Sequence, residues 1–444
     1  MKKQILLALS SIIILFFLKA EYVPAQFQDT SDAGTDPLIN REYFQLVYTY
    51  LGGLGHFHTG RDVKGLGDVD GDGINDYAVS FTPGFFDGGV EIFSGKNQRL
   101  IYSFTESRPF SFFGASEPLG DINYDGHNDF AVSAYGANFP NNPILGYIRI
   151  YSGKDGSVIR QITGSATGFG GSSNAGDLDR DGINDLLVGS PLENSSYGIV
   201  YLYSGKTGAV IRSFTGGPSP YIAFGLKAKG IGDINLDGTP DFVVTGKLND
   251  FSARNYVHIF SGSNFSIIKT IFGLPNDSLG QVLETLHDIN NDGYPELMIS
   301  AINDDRMGRG SRANYGNGRV DIVSGMDFSI LKSLYGNAGD RFGFAVSDAG
   351  DVNYDGYHDF LIGATQAMEG NGYVTLFSGK DFSPLDRIDG MPQPITNTNG
   401  DGFGGSLSLI GDINGDNVSE IIIGAYSDSR FMSTAGRIDI FSMR

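Results

Sequence analysis

Cysteine and tryptophan are both absent from the 444 residues. Without thiols there can be no disulfides, thiolate metal sites or cysteine nucleophiles. Without indole, a sugar-stacking site lacks the largest aromatic ring. Basic residues are also sparse, 31 Lys and Arg against 51 Asp and Glu, for a net charge of −20. That balance argues against a nucleic-acid partner. One apolar run, residues 5–18, follows Lys2 and Lys3 and precedes Val23, Pro24 and Ala25. A basic start, a short apolar stretch and small residues before a cut have the layout of a signal peptide. The alternative, a retained membrane anchor, needs about 20 apolar residues. We therefore expect residues 1–25 to be a signal peptide, 26–40 a polar linker and 41–444 the folded unit, exported to the cell surface or beyond. No second apolar run of spanning length follows, and the chain carries no cysteine for lipoprotein acylation.

Glycine is abundant, with 64 residues or 14% of the chain, while hydrophobic residues hold at 40%. Disorder and collagen are both excluded, and many short strands joined by tight turns are implied. A ten-residue pattern recurs seven times, as in GDVDGDGIND from Gly67, GDINYDGHND from Gly120 and GDINGDNVSE from Gly411. Its first acids are Asp68, Asp121, Asp177, Asp233, Asp288, Asp351 and Asp412. Upstream of most copies lies Phe-Gly, at Phe113, Phe169, Phe224, Phe342 and Phe403, with weaker versions at Leu279 and Phe57. Downstream come a short apolar run, an alternating strand ending in Ser-Gly, and a fourth run. Alternation in the third and fourth runs predicts one buried and one wet face. Seven four-stranded units at a near-constant period predict an all-β, seven-bladed β-propeller. The last unit lacks a fourth strand and residues 44–50 form an orphan one, so the N-terminal strand should complete the last blade and close the ring.

Asp68, Asp70 and Asp72 alternate, Gly73 permits a sharp turn, the Ile74 carbonyl lies within reach, and Asp76 closes the loop. Converging oxygen ligands with several carboxylates suit Ca2+, whereas zinc favours nitrogen and sulfur. The other candidate cages are Asp121, Asn123, Asp125, His127 and Asp129; then Asp177, Asp179, Asp181, Ile183 and Asp185; then Asp233, Asn235, Asp237, Thr239 and Asp241. Three more follow: Asp288, Asn290, Asp292, Tyr294 and Glu296; Asp351, Asn353, Asp355, Tyr357 and Asp359; and Asp412, Asn414, Asp416, Val418 and Glu420. In the last, Asn417 takes the glycine position, and asparagine tolerates positive φ better than most residues. Six or seven calcium ions are expected; the alternative is a set of Asx-type turns. A strand follows each loop and no twelfth-position glutamate closes it, which excludes an EF-hand. The seven loops hold 23 of the 51 acids. Removing residues 1–25 takes the charge from −20 to −22, and seven divalent ions would bring it to −8.

The Phe-Gly, the Asp-x-Asp/Asn-x-Asp-Gly-x-x-Asp/Glu loop and the following Gly-Ala or Ser-Ala resemble FG-GAP repeats, which build the seven-bladed propeller at the head of integrin alpha subunits and related secreted bacterial proteins. The resemblance covers roughly 44–444. It implies that calcium loops join the first and second strands of each blade on the lower face. The chain departs from integrins in keeping nearly all the loops, in lacking cysteine and in showing no leg domains or membrane span, so a free-standing, secreted bacterial-type propeller is expected. Pairing with a beta subunit is not implied.

Ligands should meet the opposite face. Its longest loop, 301–318, carries Arg306, Arg309, Arg312 and Tyr315, a candidate site for a carboxylate, sulfate or sugar acid. The alternative there is a solvated loop with internal ion pairs. Phe85, Phe86, Phe139, Tyr197 and Phe431 lie in other loops of that face, as binding platforms or strand-end packing. No catalytic set emerges: there is no nucleophile elbow, P-loop or His-Glu-x-x-His. His56 and His58 could form a metal pair, though a strand-end role fits them better. The residues after the second strands, Phe81, Tyr135, Pro191, Lys247, Ile302, Thr365 and Tyr426, are mostly small or neutral, which favours a binder over an enzyme at the axis. The expected function is a non-catalytic adhesion or recognition scaffold, monomeric, with a protein or glycan ligand. The alternatives are a polysaccharide-acting lyase or hydrolase and a structural surface-layer component.

Overall fold

Period-2 segments separated by glycine-rich turns become strands throughout the computed structural model. It describes residues 43–443, apart from 54–55, 84–87, 107–110, 137–144, 167, 218, 307–315, 366–369, 393–399 and 430–434. The expected signal peptide and linker lie outside the described residues. The first strand among the described residues is β1 (Phe44–Leu51). Blade one is β2 (Val63–Gly67), β3 (Asp76–Phe81), β4 (Gly88–Phe93) and β5 (Leu100–Glu106). Blade two is β6 (Phe113–Gly120), β7 (Asp129–Ala134), β8 (Tyr147–Tyr151) and β9 (Val158–Thr163). Blade three is β10 (Gly171–Gly176), β11 (Asp185–Ser190), β12 (Ile199–Tyr203) and β13 (Val210–Thr215). Blade four adds a short β14 (Tyr221–Ile222) before β15 (Ala228–Gly232), β16 (Asp241–Leu248), β17 (Arg254–Phe260) and β18 (Ile267–Pro275). Blade five is β19 (Leu279–Leu286), β20 (Glu296–Ala301), β21 (Arg319–Val323) and β22 (Ile330–Tyr335). Blade six is β23 (Phe342–Gly350), β24 (Asp359–Ala364), β25 (Tyr373–Phe377) and β26 (Pro384–Asp389). Blade seven is β27 (Phe403–Gly411), β28 (Glu420–Ala425) and β29 (Arg437–Met443), and β1 pairs antiparallel with β29 to supply its fourth strand.

The first strands of successive blades touch one another all the way round, with β27 closing onto β2. They are therefore the innermost strands of a seven-bladed ring. Among the described residues seven apolar clusters each span one junction between neighbouring blades, including Tyr77 and Val63 against Ile410 and Ile422 between blades one and seven. This packing corrects one expectation. Fourth strands do alternate, as in β5, but third strands such as β4, β21 and β25 are buried along their whole length. Blade faces stack on one another, so a polar residue in the alternating pattern faces a neighbouring blade and not water; Glu91, Asp321 and Asp439 are all buried.

The Phe-Gly pairs belong to the same packing. Their aromatic rings are buried, and the glycine that follows takes positive φ, for example 88° at Gly225 and 85° at Gly343. A Cβ on Gly146, at the foot of blade two's third strand, would lie 1.8 Å from the carbonyl oxygen of Phe169 in blade three. Glycine there is required by the approach of two backbones.

Candidate metal centres and the opposite face

The ten-residue loops join the first and second strands of every blade. In blade one the Asp68 carboxylate accepts the N–H groups of Asp72 at 3.0 Å and Gly73 at 2.9 Å. Asp70 accepts from the Asp72 N–H and Asp72 from the Ile74 N–H. Asp76 accepts from Val69 at 2.7 Å and Asp70 at 3.1 Å through one oxygen, and from Gly95 of the next turn at 3.0 Å through the other. The first acid takes the same two donors in the remaining six loops. The sixth position is left-handed in every copy, with φ 88° at Gly73 and 66° at Asn417. The asparagine thus adopts the backbone that the sequence expects of it. The fourth position is left-handed as well, including Tyr124, Arg180, Leu236, Asn291 and Tyr354. No sequence signal marks Tyr124, Arg180, Leu236 and Tyr354, because their types do not favour positive φ.

This bonding turns the carboxylates inward. Asp68, Asp70 and Asp76 bring one ligand oxygen each within 4.8 Å of one another; so do Asp177, Asp179 and Asp185, and Asp288, Asp292 and Glu296. The ninth-position acids are fully buried. Burial pushes Asp76, Asp129, Asp185 and Asp241 up to about 6 and Glu296 to about 7, against backbone N–H donors that pull them down. Buried ninth-position carboxylates with other oxygen ligands gathered beside them suit a hard divalent ion, so the donor set fits Ca2+; Lys96 approaches Asp72 of blade one's loop at 3.6 Å. The backbone bonds also satisfy the Asx-turn alternative, since they hold the loop through protein atoms alone. At the seventh position the His127 ring leaves its own loop and its Nδ1 meets the Val69 carbonyl of the neighbouring blade at 2.9 Å.

Known proteins add a second line of evidence. The FG-GAP repeat model matches residues 169–203, from the Phe169-Gly170 pair to the third strand of blade three. Integrin alpha-V of Gallus gallus is 31% identical over 200 residues, 40% of this chain and 19% of that protein. Integrin alpha-5 of Xenopus laevis is 27% identical over 227 residues, 46% of this chain and 21% of its own length. Integrin alpha-4 of Xenopus laevis is 24% identical over 388 residues, covering 79% of this chain and 36% of itself. The molecule is an integrin alpha-like FG-GAP β-propeller. It spans about a fifth to a third of the length of these relatives. Among the described residues no helix is long and apolar enough to cross a membrane.

On the propeller's opposite face, Arg306 is engaged internally. It pairs with Asp304 at 2.9 Å and its guanidinium lies 5.1 Å from the Tyr335 ring centre. Arg309, Arg312 and Tyr315 lie outside the described residues, as do Phe85, Phe86, Phe139 and Phe431; Tyr197 is exposed. Asp304 also meets Arg319, which pairs with Asp277 at 3.3 Å and Asp321 at 2.9 Å. Blade seven repeats the device: Arg437 pairs with Asp401 at 3.3 Å, Asp428 at 2.7 Å and Asp439 at 2.8 Å, all buried. Sequence reading missed these braces, although a signal exists. Both blades carry Asp two residues before the Phe-Gly or Leu-Gly pair and Arg-x-Asp at the third strand.

The histidine pair diverges. His56 lies 4.2 Å from the Phe81 ring centre and 3.9 Å from Glu91, while His58 contacts the Tyr426 carbonyl at 3.2 Å. The axis needs a further correction. Phe81 and Lys247 lie within second strands, and the innermost strands are the first ones. These do carry charge: Lys64 pairs with Glu117 at 3.3 Å and Lys229 with Glu284 at 2.6 Å, each across a blade junction. A cleft of about 230 Å3 opens between blades one and two, lined in part by Arg61, Asp62, Phe112 and Tyr135. Burial raises the Asp62 carboxyl there, and burial lowers the Lys227 ammonium that faces it.

Proposed function

We propose that the chain is an exported, calcium-binding propeller that serves as a non-catalytic adhesion or recognition scaffold. Its carrying observation is the contrast between its two faces. On one, seven loops of a single design hold themselves with the same two backbone bonds to the first acid. On the other, second-to-third strand connections range from 249–253 to 302–318. Uniform loops serve a scaffold and variable loops serve recognition. In this reading residues 1–25 direct export, 26–40 link, and 41–444 form the propeller, at the cell surface or secreted. The cages hold six or seven Ca2+ through the acids, amides and seventh-position carbonyls named above. A protein or glycan meets the opposite face of a monomer, with Arg306, Arg309, Arg312 and Tyr315 and the cleft between blades one and two as the regions to probe.

A polysaccharide-acting enzyme gains one observation, the charged first strands. Those charges pair with each other across the junctions, which suits ring closure at least as well as chemistry.

Thermal unfolding of the exported chain in millimolar calcium and in excess chelator, with metal counted by mass spectrometry, tests the calcium reading. Six or seven calcium ions and a large fall in Tm on chelation are expected, because an ion that binds only the folded state stabilises it. No bound metal and no shift would leave the loops as Asx turns. Glycan and protein arrays probed with wild type and Tyr135→Ala test the recognition face. Turnover of any arrayed polysaccharide would favour the enzyme.

A further inference from the structure

At several blade junctions the glycine before one loop's first acid faces the eighth position of the next loop. Gly67 faces Asn128, so that an added Cβ would lie 2.1 Å from the amide nitrogen; Gly176 faces Pro240 and Gly411 faces Asn75 in the same way. Between blades five and six these two positions hold His287 and His358. Their rings lie 3.9 Å apart, centre to centre, and are inclined by 32°. A third departure falls at the same place. Three residues before the loop the repeat has Gly65, Pro118, Asn174, Gly230, Thr285 and Leu409, but in blade six it has Asp348. The Asp348 carboxylate lies 3.3 Å from Nδ1 of His358 and 3.6 Å from Nδ1 of His287. One ligand atom from each of the three lies within 4.8 Å of the others.

The backbone also differs at this junction. In the other six blades a left-handed glycine ends the first strand and the ladder shifts register beside it; in blade five His287 lacks that conformation and Leu286 pairs with Glu296 without a shift.

We propose that His287, Asp348 and His358 bind a transition-metal ion of the zinc class, separate in place and chemistry from the oxygen cages. Two imidazoles and a carboxylate suit Zn2+, Ni2+ or Cu2+ and suit Ca2+ poorly. In a tetrahedral zinc site with bonds of about 2.0–2.1 Å, neighbouring ligand atoms lie roughly 3.3 Å apart. The two histidine–aspartate distances already approach that value. The His287 side chain is 67% exposed, His358 35% and Asp348 17%, so an ion can enter from solvent. A water would take the fourth position. Because the ligands come from the end of β19, from β23 and from the residue before β24, the ion would clamp blade five to blade six.

Calorimetric titration of Zn2+ into the full, untagged chain in millimolar calcium tests this, since calcium keeps the oxygen cages filled. The expected result is one zinc per chain. In the His287→Gly/His358→Asn double variant, which installs the glycine–asparagine pair found between blades one and two, zinc affinity should fall by more than about 100-fold, beyond what loss of an outer partner costs. Asp348→Asn, which keeps the side-chain shape, should weaken binding as well. Absence of zinc binding in the wild type, or unchanged binding in the folded variants, would overturn the assignment.

Discussion

Among the described residues Arg437 is one of the largest fully buried side chains, and three aspartates surround it. Burial pushes Asp401 up to about 7 even though Arg437 pulls it down. Removing the cation would leave carboxylates buried without compensation. Arg437→Ala should therefore cost about 3–5 kcal/mol in urea unfolding. His258 behaves in the opposite sense. It is boxed by the rings of Tyr221, Tyr256, Phe224 and Phe260, and burial lowers it from 6.5 to about 4. Between pH 6.5 and 4 the unfolded chain binds a proton that the folded chain does not. Its contribution is thus complete above 6.5 and is lost as pH falls through that window, by up to about 3 kcal/mol. The unfolding free energies of wild type and His258→Gln, compared across this range, should differ by that acid slope.

The loops are the elements whose design is most visible in the sequence, because side-chain spacing alone decides which oxygens face inward. Their strain is not visible. Leu236 is held at φ 58° and is largely exposed, so it has little packing to lose. Leu236→Gly should raise stability by about 0.5–1 kcal/mol, as relief of the left-handed backbone exceeds the entropy cost of glycine. Two positions on, Gly238 has open space around it but φ 85°. Gly238→Ala should cost about 1 kcal/mol for conformation alone. Paired melting curves of the two variants would separate the effects. The third strands mark the limit of pattern reading. Alternation correctly identifies them as strands, but which face is wet depends on the blade stacked against them, and here none is.

For the whole molecule, closure rests on β1. Phe44 is buried against Phe441 of β29, edge to face at 6.1 Å, within the core between blades six and seven. Phe44→Ala should cost about 3–5 kcal/mol, the usual range for a buried phenylalanine. Because the ring closes through this strand, the loss should appear as one cooperative shift of the entire unfolding transition. A separate early transition confined to blade seven would show that the ring does not unfold as a unit. The axis belongs to this scale too. Lys64 and Glu117 are 53 residues apart in the chain and meet only because blades one and two stand side by side.

The sequence by itself determined the number of blades, the strand that closes the ring and the loops able to gather oxygen ligands. Each of these is a periodic or local property, carried by residue types at fixed spacing. Tertiary structure decided the rest: which charges share the axis, that Arg306 is held by Asp304, that Arg319 and Arg437 brace their blades, and that His287, Asp348 and His358 converge. Those neighbours come from different strands or different blades, and no spacing along one strand specifies how two blades stack.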